Sequence, residues 1–225
     1  MKKLLIITDS LGMPREEVLY EETWPFLLSK KNPHLHIIDK CLRAATTTRL
    51  IKEGGLGTDL LERYKPHFVI IQLGIVDCAP RLFSNRGLEH KLLKLMPRRI
   101  RYLYIKWIKM TRTRSIKRCY VSLDEFKTNV ENYLNRSVKE HTHILFIEIA
   151  ISVEYANFNP KTPHQVKKYN SALRELVKKH PFAHTLKIRD DNTFFLKDGY
   201  HLSPEGHVNL VQKISLTENF KPNHS

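Results

Sequence analysis

The sequence lacks the features that direct a chain into or across a membrane. It contains no run of about 18 apolar residues, the minimum for a spanning helix. The N-terminal apolar run, Leu4–Ile7, stops at Thr8, which is too short for the core of a signal peptide, and no small-residue cleavage site follows. Only three cysteines occur and none forms a CxxC pair, so a disulfide framework is not expected. We therefore expect a cytoplasmic protein.

Acidic residues are also scarce. Asp and Glu number 23 against 38 Lys and Arg, which gives a formal net charge of +15 and a pI of about 9.7. Such an excess predicts an anionic partner: nucleic acid, an acidic membrane surface or an acidic substrate. The sequence has no clustered carboxylates and no convincing His or Cys ligand set, so we expect neither a metal nor another cofactor. Hydrophobic residues, at 41%, suffice for a folded core.

Short apolar runs alternate with longer segments of helical spacing. This alternation predicts βαβ units, and hence an α/β fold with a parallel sheet covered by helices on both faces. We predict one domain over residues 1–217 and a poorly ordered tail over 218–225. The predicted strands are Leu4–Thr8, Leu35–Asp39, Phe68–Leu73, Ile144–Ile149 and Thr185–Ile188, and the clearest predicted helices are Arg15–Lys30, Thr58–Tyr64, Leu123–Lys139 and His164–Lys179.

A basic segment interrupts this pattern at about residues 84–120, between the third and fourth strands. Over residues 91–118, Lys and Arg interleave with apolar and aromatic side chains such as Trp107. We predict a helical insertion, with Pro97 at a helix start or a kink. It suits an interfacial helix on an anionic membrane, which would place the protein at the inner membrane face, or binding to an acidic glycan or lipid-linked saccharide. Packing on the core or on a partner subunit explains it equally well, whereas nucleic acid is less favoured because no known binding module is present.

Two polar clusters stand where a parallel sheet carries its ligand site. The first strand runs into Asp9 and Ser10, which places a serine at a strand's carboxyl end, in the turn before a helix. Near the other end of the chain, Asp198 stands three residues before His201, just ahead of the last helix. A carboxylate at this spacing can accept the Nδ1 proton of the histidine, which leaves Nε2 free to take a proton from a hydroxyl. We predict a catalytic triad of Ser10, Asp198 and His201, with helix capping and a surface loop as the structural alternatives.

The same clusters resemble the first and last blocks of the SGNH/GDSL hydrolases. Residues 9–12, Asp-Ser-Leu-Gly, resemble the first block, although Thr8 stands where the family usually has glycine. Asp198 and His201 resemble the last block, and the resemblance spans residues 3 to about 214 apart from the basic insertion. It implies a flavodoxin-like three-layer α/β/α domain with five central parallel strands in the order 2-1-3-4-5.

The middle blocks depart from the family pattern. Residues 74–77, Gly-Ile-Val-Asp, resemble its Gly-x-Asn-Asp, but Val76 replaces the asparagine whose side chain donates to the oxyanion. The glycine of the second block falls at Ala44, which retains the backbone amide. The resemblance therefore implies an oxyanion hole made of the amides of Ser10 and Ala44, with the third donor missing. Loss of one such donor typically lowers kcat by about 10²–10³.

Charged residues near this edge are candidates for substrate or oxyanion contacts. Arg43 precedes Ala44 and Arg81 follows the third strand. A guanidinium at either place could stabilise the oxyanion or bind an anionic substrate, and a solvated surface arginine is the alternative for each. Asp77 matches the family's aspartate and fits either a structural role at the strand end or a catalytic one. Cys78 is expected to be a buried structural thiol rather than a nucleophile.

The resemblance implies ester chemistry. Ser10 would attack an acyl carbonyl, with His201 as general base and Asp198 orienting it, before water resolves the acyl-enzyme. We predict a serine esterase or O-deacylase that acts on an acylated, carbohydrate-type substrate. Two alternatives stay open: O-acyl transfer to a saccharide through the same site, and non-catalytic binding of a glycan or other anionic ligand, which Val76 prompts. The oligomeric state is not predicted.

Overall fold

Five strands form one parallel sheet. The computed structural model describes residues 1–51, 58–113, 115–189 and 191–217. The strand order is β2-β1-β3-β4-β5 and every neighbouring pair is parallel, which confirms the predicted topology. The strands are β1 (Lys2–Thr8), β2 (Leu35–Asp39), β3 (Phe68–Gln72), β4 (His143–Ile147) and β5 (Ala183–Leu186).

The strands form at short apolar runs because both faces of this sheet are covered. Successive side chains of a strand point to opposite faces. In β1, Leu5 and Ile7 pack into one core cluster, whereas Leu4 and Ile6 pack into a second, and none of the four is more than 1% exposed. The first strand therefore belongs to two cores, one on each face.

Helices cover both faces and complete the predicted three-layer α/β/α sandwich. Trp24 and Leu210, on helices of one face, join the second core, and Phe126 and Tyr169, on helices of the other face, join the first. The helices are α1 (Trp24–Lys31), α2 (Ile75–Cys78), α3 (Gly87–Leu95), α4 (Arg98–Thr111), α5 (Leu123–Lys139), α6 (Val153–Phe158), α7 (Thr162–Val177) and α8 (Pro204–Leu216).

The predicted helix Arg15–Lys30 is wrong in its first half. Only α1 is helical, and ahead of it Arg15 and Val18 pair in a short antiparallel bridge, followed by a 3₁₀ turn over Tyr20–Glu22. Pro25 explains the late start of α1, because proline fits the first turn of a helix but breaks its interior.

The predicted helix Thr58–Tyr64 is also wrong. A 3₁₀ turn covers Thr58–Leu60 and turns follow it. Lys65 has a φ of 46°, and the residue before a proline, here Pro66, is disfavoured in the α conformation. The other two predicted helices are present: α5 has the predicted bounds, and α7 begins and ends two residues early. The predicted tail 218–225 lies outside the described residues.

The basic insertion contains two helices, α3 and α4, and α4 begins directly after Pro97. We call residues 82–113 the helical arm. Its two ends meet, because the amide of Arg81 donates to the carbonyl of Ser115 at 3.4 Å and the amide of Ser115 donates back at 3.0 Å. Within the arm, Arg112 forms an ion pair with Glu89. The arm thus leaves and rejoins the body of the protein at one place.

Candidate active site

Ser10 lies at the carboxyl end of β1, in a tight turn. The side chain of Asp9 accepts a hydrogen bond from the Leu11 amide at 2.8 Å, and Ser10 opens a 3₁₀ turn over Ser10–Gly12. Gly12 closes against Thr8, since a Cβ at Gly12 would lie only 2.4 Å from Cγ2 of Thr8. The turn presents Ser10 at the sheet edge where parallel α/β sheets bind their ligands.

A second turn, just before α8, holds Asp198 and His201. Gly199 adopts a φ of 77° and its amide donates to the carbonyl of Leu196 at 2.8 Å. Oδ1 of Asp198 accepts hydrogen bonds from the amides of Tyr200 at 3.2 Å and His201 at 3.0 Å, and Oδ2 lies 2.5 Å from Nδ1 of His201. Burial opposes ionisation of Asp198, but the hydrogen bonds from His201 outweigh it and lower the pKa of the carboxyl below its usual value.

The His201 ring brings the two turns together. Oγ of Ser10 lies 2.9 Å from Nε2 of His201, although the two residues are 191 positions apart in the chain. Because Asp198 lies against Nδ1, the neutral ring holds its proton there and presents the lone pair of Nε2 to the hydroxyl. The structure therefore places the three predicted triad residues in one hydrogen-bonded chain.

Ala44 follows β2 in a loop that is tied to the end of β1. The amide of Leu42 donates to the carbonyl of Thr8 at 3.0 Å, and the amide of Ala45 donates to the carbonyl of Leu42 at 3.1 Å. Ala44 between them has a φ of 57°, a left-handed conformation that favours glycine. This conformation gives a physical reason for the glycine that the resemblance implies at this position, and the loop lies beside the turn that carries Ser10.

Asp77 connects the same loop to α2. Its carboxylate is fully buried, lies 2.5 Å from Oγ1 of Thr47 and accepts a bond from the Thr47 amide at 3.0 Å. Asn129 of α5 donates in turn to Oγ1 of Thr47 at 3.1 Å. Burial raises the pKa of Asp77 to about 6, although the bonds from Thr47 oppose the rise. These contacts occupy the carboxylate and fit the structural role rather than the catalytic one.

Val76 leaves the site without the side-chain donor that the family pattern has at this position. The Val76 side chain packs in the first core and offers no donor. Arg81 is half-buried: its Nη2 donates to the Val76 carbonyl at 3.4 Å and its guanidinium lies 4.8 Å from the ring centre of Tyr120. Arg43 is exposed, which fits the solvated alternative. Cys78 is completely buried, and burial raises its thiol pKa well above the usual value, as expected for a structural thiol.

Sequence reasoning missed two residues of this site. Asp9 is fully buried, its Oδ2 finds no hydrogen-bond partner among the described residues, and burial together with the charge of Asp77 raises its pKa to about 7. Arg15 contacts Nε2 of His201 with its Nη2. Arg15 lies only five residues after Ser10, which indicates that it could reach the site. The predicted helix over that segment gave no reason to expect its side chain there.

The described part of the chain holds neither a metal-binding cluster nor a membrane-spanning helix. No group of three or more His, Cys, Asp or Glu residues there could hold a metal ion. No helix there combines the length and the apolar character needed to cross a membrane.

Comparison with known proteins gives matches among solved structures alone. No protein-family model and no curated protein matches the chain. A lipase/acylhydrolase from Enterococcus faecalis is 15% identical with a TM-score of 0.62, over 95% of this chain and 93% of that one. An esterase from Pseudoalteromonas sp., in a structure inhibited by monoethylphosphonate, is 18% identical with a TM-score of 0.56, over 95% and 94%. An acetylxylan esterase from Geobacillus stearothermophilus is 14% identical with a TM-score of 0.61, over 95% and 92%. The chain therefore has the fold of the GDSL/SGNH lipase/acylhydrolases and acetylxylan esterases.

Proposed function

We propose that this protein is a serine esterase that hydrolyses O-acyl esters through Ser10, His201 and Asp198. One observation supports the proposal most directly. Hydroxyl, imidazole and carboxylate lie in a single chain of contacts at 2.9 and 2.5 Å, at the sheet edge that carries ligand sites. A nucleophile within reach of a base that a third group orients is the arrangement that covalent acyl chemistry requires.

In the proposed reaction, Oγ of Ser10 bonds to the acyl carbonyl carbon while its proton moves to Nε2 of His201. The tetrahedral intermediate collapses, the bond to the leaving oxygen breaks, and His201 gives its proton to that oxygen. A water molecule then attacks the acyl-enzyme, with His201 again taking and returning the proton, and the carboxylic acid leaves. Asp198, whose lowered pKa keeps it ionised, stabilises the positively charged ring in both steps.

The amides of Ser10 and Ala44 are the proposed donors to the oxyanion. The left-handed backbone of Ala44 and the tie between its loop and β1 favour this assignment. Val76 supplies no third donor, so turnover on simple esters should be slow by the standard of a complete oxyanion hole.

For the substrate, we propose an O-acyl group on a saccharide. Acetylxylan esterases among the structural neighbours favour a carbohydrate, and the net charge of +15 favours an acidic or lipid-linked one. Acyl transfer to a saccharide would use the same acyl-enzyme with a sugar hydroxyl in place of water. Non-catalytic binding of a glycan or another anionic ligand is the third hypothesis.

A fluorophosphonate probe tests the nucleophile, because it reacts with an activated serine. We expect the wild-type protein and a Ser171→Ala control to be labelled and a folded Ser10→Ala variant to remain unlabelled. Release of acetate from acetylated oligosaccharides should follow the same pattern. No labelling of folded wild type would contradict the esterase and favour the binding reading, whereas acyl groups recovered on added saccharides rather than as free acid would identify a transferase.

The helical arm has a surface that catalysis does not explain. On α4, four apolar side chains lie on one side of the helix and are exposed, at 55% for Ile100, 64% for Leu103, 56% for Trp107 and 75% for Met110. The arc next to this strip, on one flank of the same helix, carries basic residues, namely Arg98, Arg99, Lys106 and Lys109. Ile108, fully buried, marks the side that packs on the protein. A basic helix with an exposed apolar strip is typical of helices that lie in a membrane interface.

We propose that the arm holds the protein on an anionic lipid surface, at the inner face of a cytoplasmic membrane. The wild type should sediment with vesicles of phosphatidylglycerol and phosphatidylcholine and not with pure phosphatidylcholine, and binding should weaken with salt. Leu103→Ser with Trp107→Ser should abolish binding, whereas Leu216→Ser, at another exposed leucine, should not. Binding to an acidic polysaccharide without binding to vesicles would overturn the lipid and favour a glycan.

A further inference from the structure

Arg15 occupies an unusual place beside the proposed triad. Its Nη2 contacts Nε2 of His201, the atom that must accept the Ser10 proton. A guanidinium only donates hydrogen bonds, and a neutral imidazole has one lone pair at Nε2. Arg15 and the Ser10 hydroxyl therefore compete for the same lone pair. While Arg15 holds it, His201 cannot act as a general base.

The backbone of Arg15 is fixed, so this contact is built into the fold. Its amide donates to the carbonyl of Val18 at 2.8 Å, and the amide of Val18 donates back at 3.2 Å. Val18 is 1% exposed and anchors the bridge in the protein. The guanidinium is the part of the residue that remains free to change partners.

A second guanidinium, that of Arg81, acts on the same site. The charges of Arg15 and Arg81 both act on the hydroxyl of Tyr200, whose ring centre lies 4.3 Å from that of His201. Arg81 also donates to the backbone carbonyl of Val76, the residue whose side chain replaces the missing oxyanion donor. Both arginines thus lie close enough to Tyr200, the ring beside His201, for their charges to act on its hydroxyl.

Both guanidiniums retain unused donors. Nε of Arg15 and Nε of Arg81 are buried and meet no hydrogen-bond acceptor in the part of the chain that the structure describes. Neither residue forms an ion pair with a carboxylate of that part. Asp9, whose charge acts on Arg15, has a pKa that burial raises to about 7 and is therefore a weak counter-ion. Buried donors without acceptors require an explanation, and an anionic ligand supplies acceptors to both.

We propose that Arg15 and Arg81 form a subsite for an anionic group of the substrate, and that this anion draws Arg15 away from His201 and frees Nε2 for Ser10. The inference rests on the proposed esterase and narrows its substrate to acyl esters that carry a carboxylate or phosphate next to the acyl group, such as esters of acidic saccharides. Neutral esters bind without releasing Arg15, so they react slowly.

Matched aryl acetates test the subsite. We compare kcat/KM for para-acetoxybenzoate and para-acetoxyphenyl phosphate with kcat/KM for the neutral para-acetoxybenzamide. Each value is divided by the rate constant for hydroxide-catalysed hydrolysis of the same ester, which corrects for intrinsic reactivity. The wild type should favour the anions by about tenfold or more, as expected for a charge-assisted hydrogen bond. The size of the preference for each anion distinguishes carboxylate from phosphate. Arg15→Gln should reduce the preference to near unity, by slowing the anionic esters and accelerating the neutral one several-fold.

The pattern across variants separates this inference from a general role in catalysis. Arg81→Lys, which keeps the charge, should retain most of the preference, whereas Arg81→Gln should lose it. Lys179→Gln, which removes an exposed charge after α7, should behave as wild type. Equal slowing of anionic and neutral esters by Arg15→Gln, or an unchanged preference, would overturn the subsite.

Anion binding, measured by thermal unfolding, tests the subsite even if the protein is not an esterase. If Ser10→Ala hydrolyses these esters as fast as wild type, the proposed triad is wrong. Thermal unfolding with para-hydroxybenzoate or inorganic phosphate still tests the anion subsite, because it needs no turnover. Both anions, or one of them, should raise the Tm of wild type and Lys179→Gln but not that of Arg15→Gln. No rise with either anion would refute the subsite.

Discussion

Asp9 carries the sharpest prediction about stability. The carboxyl is fully buried, and among the described residues only Oδ1 has a partner, the Leu11 amide at 2.8 Å. Burial first, and then the charge of Asp77, raise its pKa from 3.8 to about 7. Below about pH 4 the side chain is neutral in both the folded and the unfolded chain. Above pH 7 the folded chain must bury a charge, so stability is lost as the pH rises from 4 to 7.

Asp9→Asn removes this dependence. The amide keeps an oxygen for the Leu11 amide and has no charge to bury. The rise in pKa from 3.8 to about 7 corresponds to at most about 4 kcal/mol in the free energy of unfolding. The new side-chain NH₂ group has no acceptor in the described part of the chain, which costs about 1–3 kcal/mol at every pH and leaves the pH dependence of stability unchanged. Relative to wild type, the variant should therefore gain about 4 kcal/mol between pH 4 and pH 8.

Urea unfolding followed by circular dichroism, at intervals from pH 4 to pH 8, measures this gain. Asp39→Asn is the matched control. Asp39 ends β2 and accepts a bond from the amide two residues on, also at 2.8 Å, but its side chain is exposed. That variant should follow the wild-type pH dependence. Parallel curves for Asp9→Asn and wild type would refute the reasoning, because they would mean that Asp9 folds without a raised pKa.

Three further substitutions have defined outcomes. Val76→Asn restores a side-chain donor and should raise kcat on acetyl esters by tenfold or more, whereas Val76→Ala should not; equal kcat values would contradict the missing-donor argument. Ala44→Gly relieves a left-handed alanine, worth about 1–2 kcal/mol, against about 0.4–1 kcal/mol of added chain entropy, so urea unfolding should show a gain of at most about 1.6 kcal/mol, and a loss would contradict it. His207 accepts the Trp24 amide through Nδ1 at 3.1 Å, and burial, followed by the charge of His201, lowers its pKa from 6.5 to about 4. Stability is therefore lost as the pH falls from 6.5 to 4, and His207→Asn should reduce that loss by about 3 kcal/mol in acid titration; an unchanged acid loss would contradict it.

The sheet was predictable because its signals are local. A strand such as β1 needs only a short apolar run, and a capping box formed by Ser122 and Glu125 marks the start of the helix α5. Helical spacing alone gives the wrong structure for the segment before α1, because it leaves out the effect of Pro25. The bridge between Arg15 and Val18 depends on a buried anchor that helical spacing does not reveal.

The candidate triad was predictable for a different reason. In a parallel sheet the carboxyl ends of all strands share one edge, so residues 191 positions apart could be placed together from topology alone. Arg15 could not be found in this way, because its position depends on the path of a loop and on the direction of a long side chain. The pKa of Asp9 depends on complete burial, which is a property of the whole fold.

The meeting of Arg81 and Ser115 makes the arm a separable module. Residues paired across an antiparallel bridge lie about 5 Å apart, a gap that a two-residue hairpin turn can close. The arm could therefore be excised and its ends rejoined without altering the order or register of the sheet. A chain shortened in this way would allow the proposed esterase activity to be measured without the proposed membrane-binding arm. The same junction would accept a different arm that directs the sheet and its site to another surface.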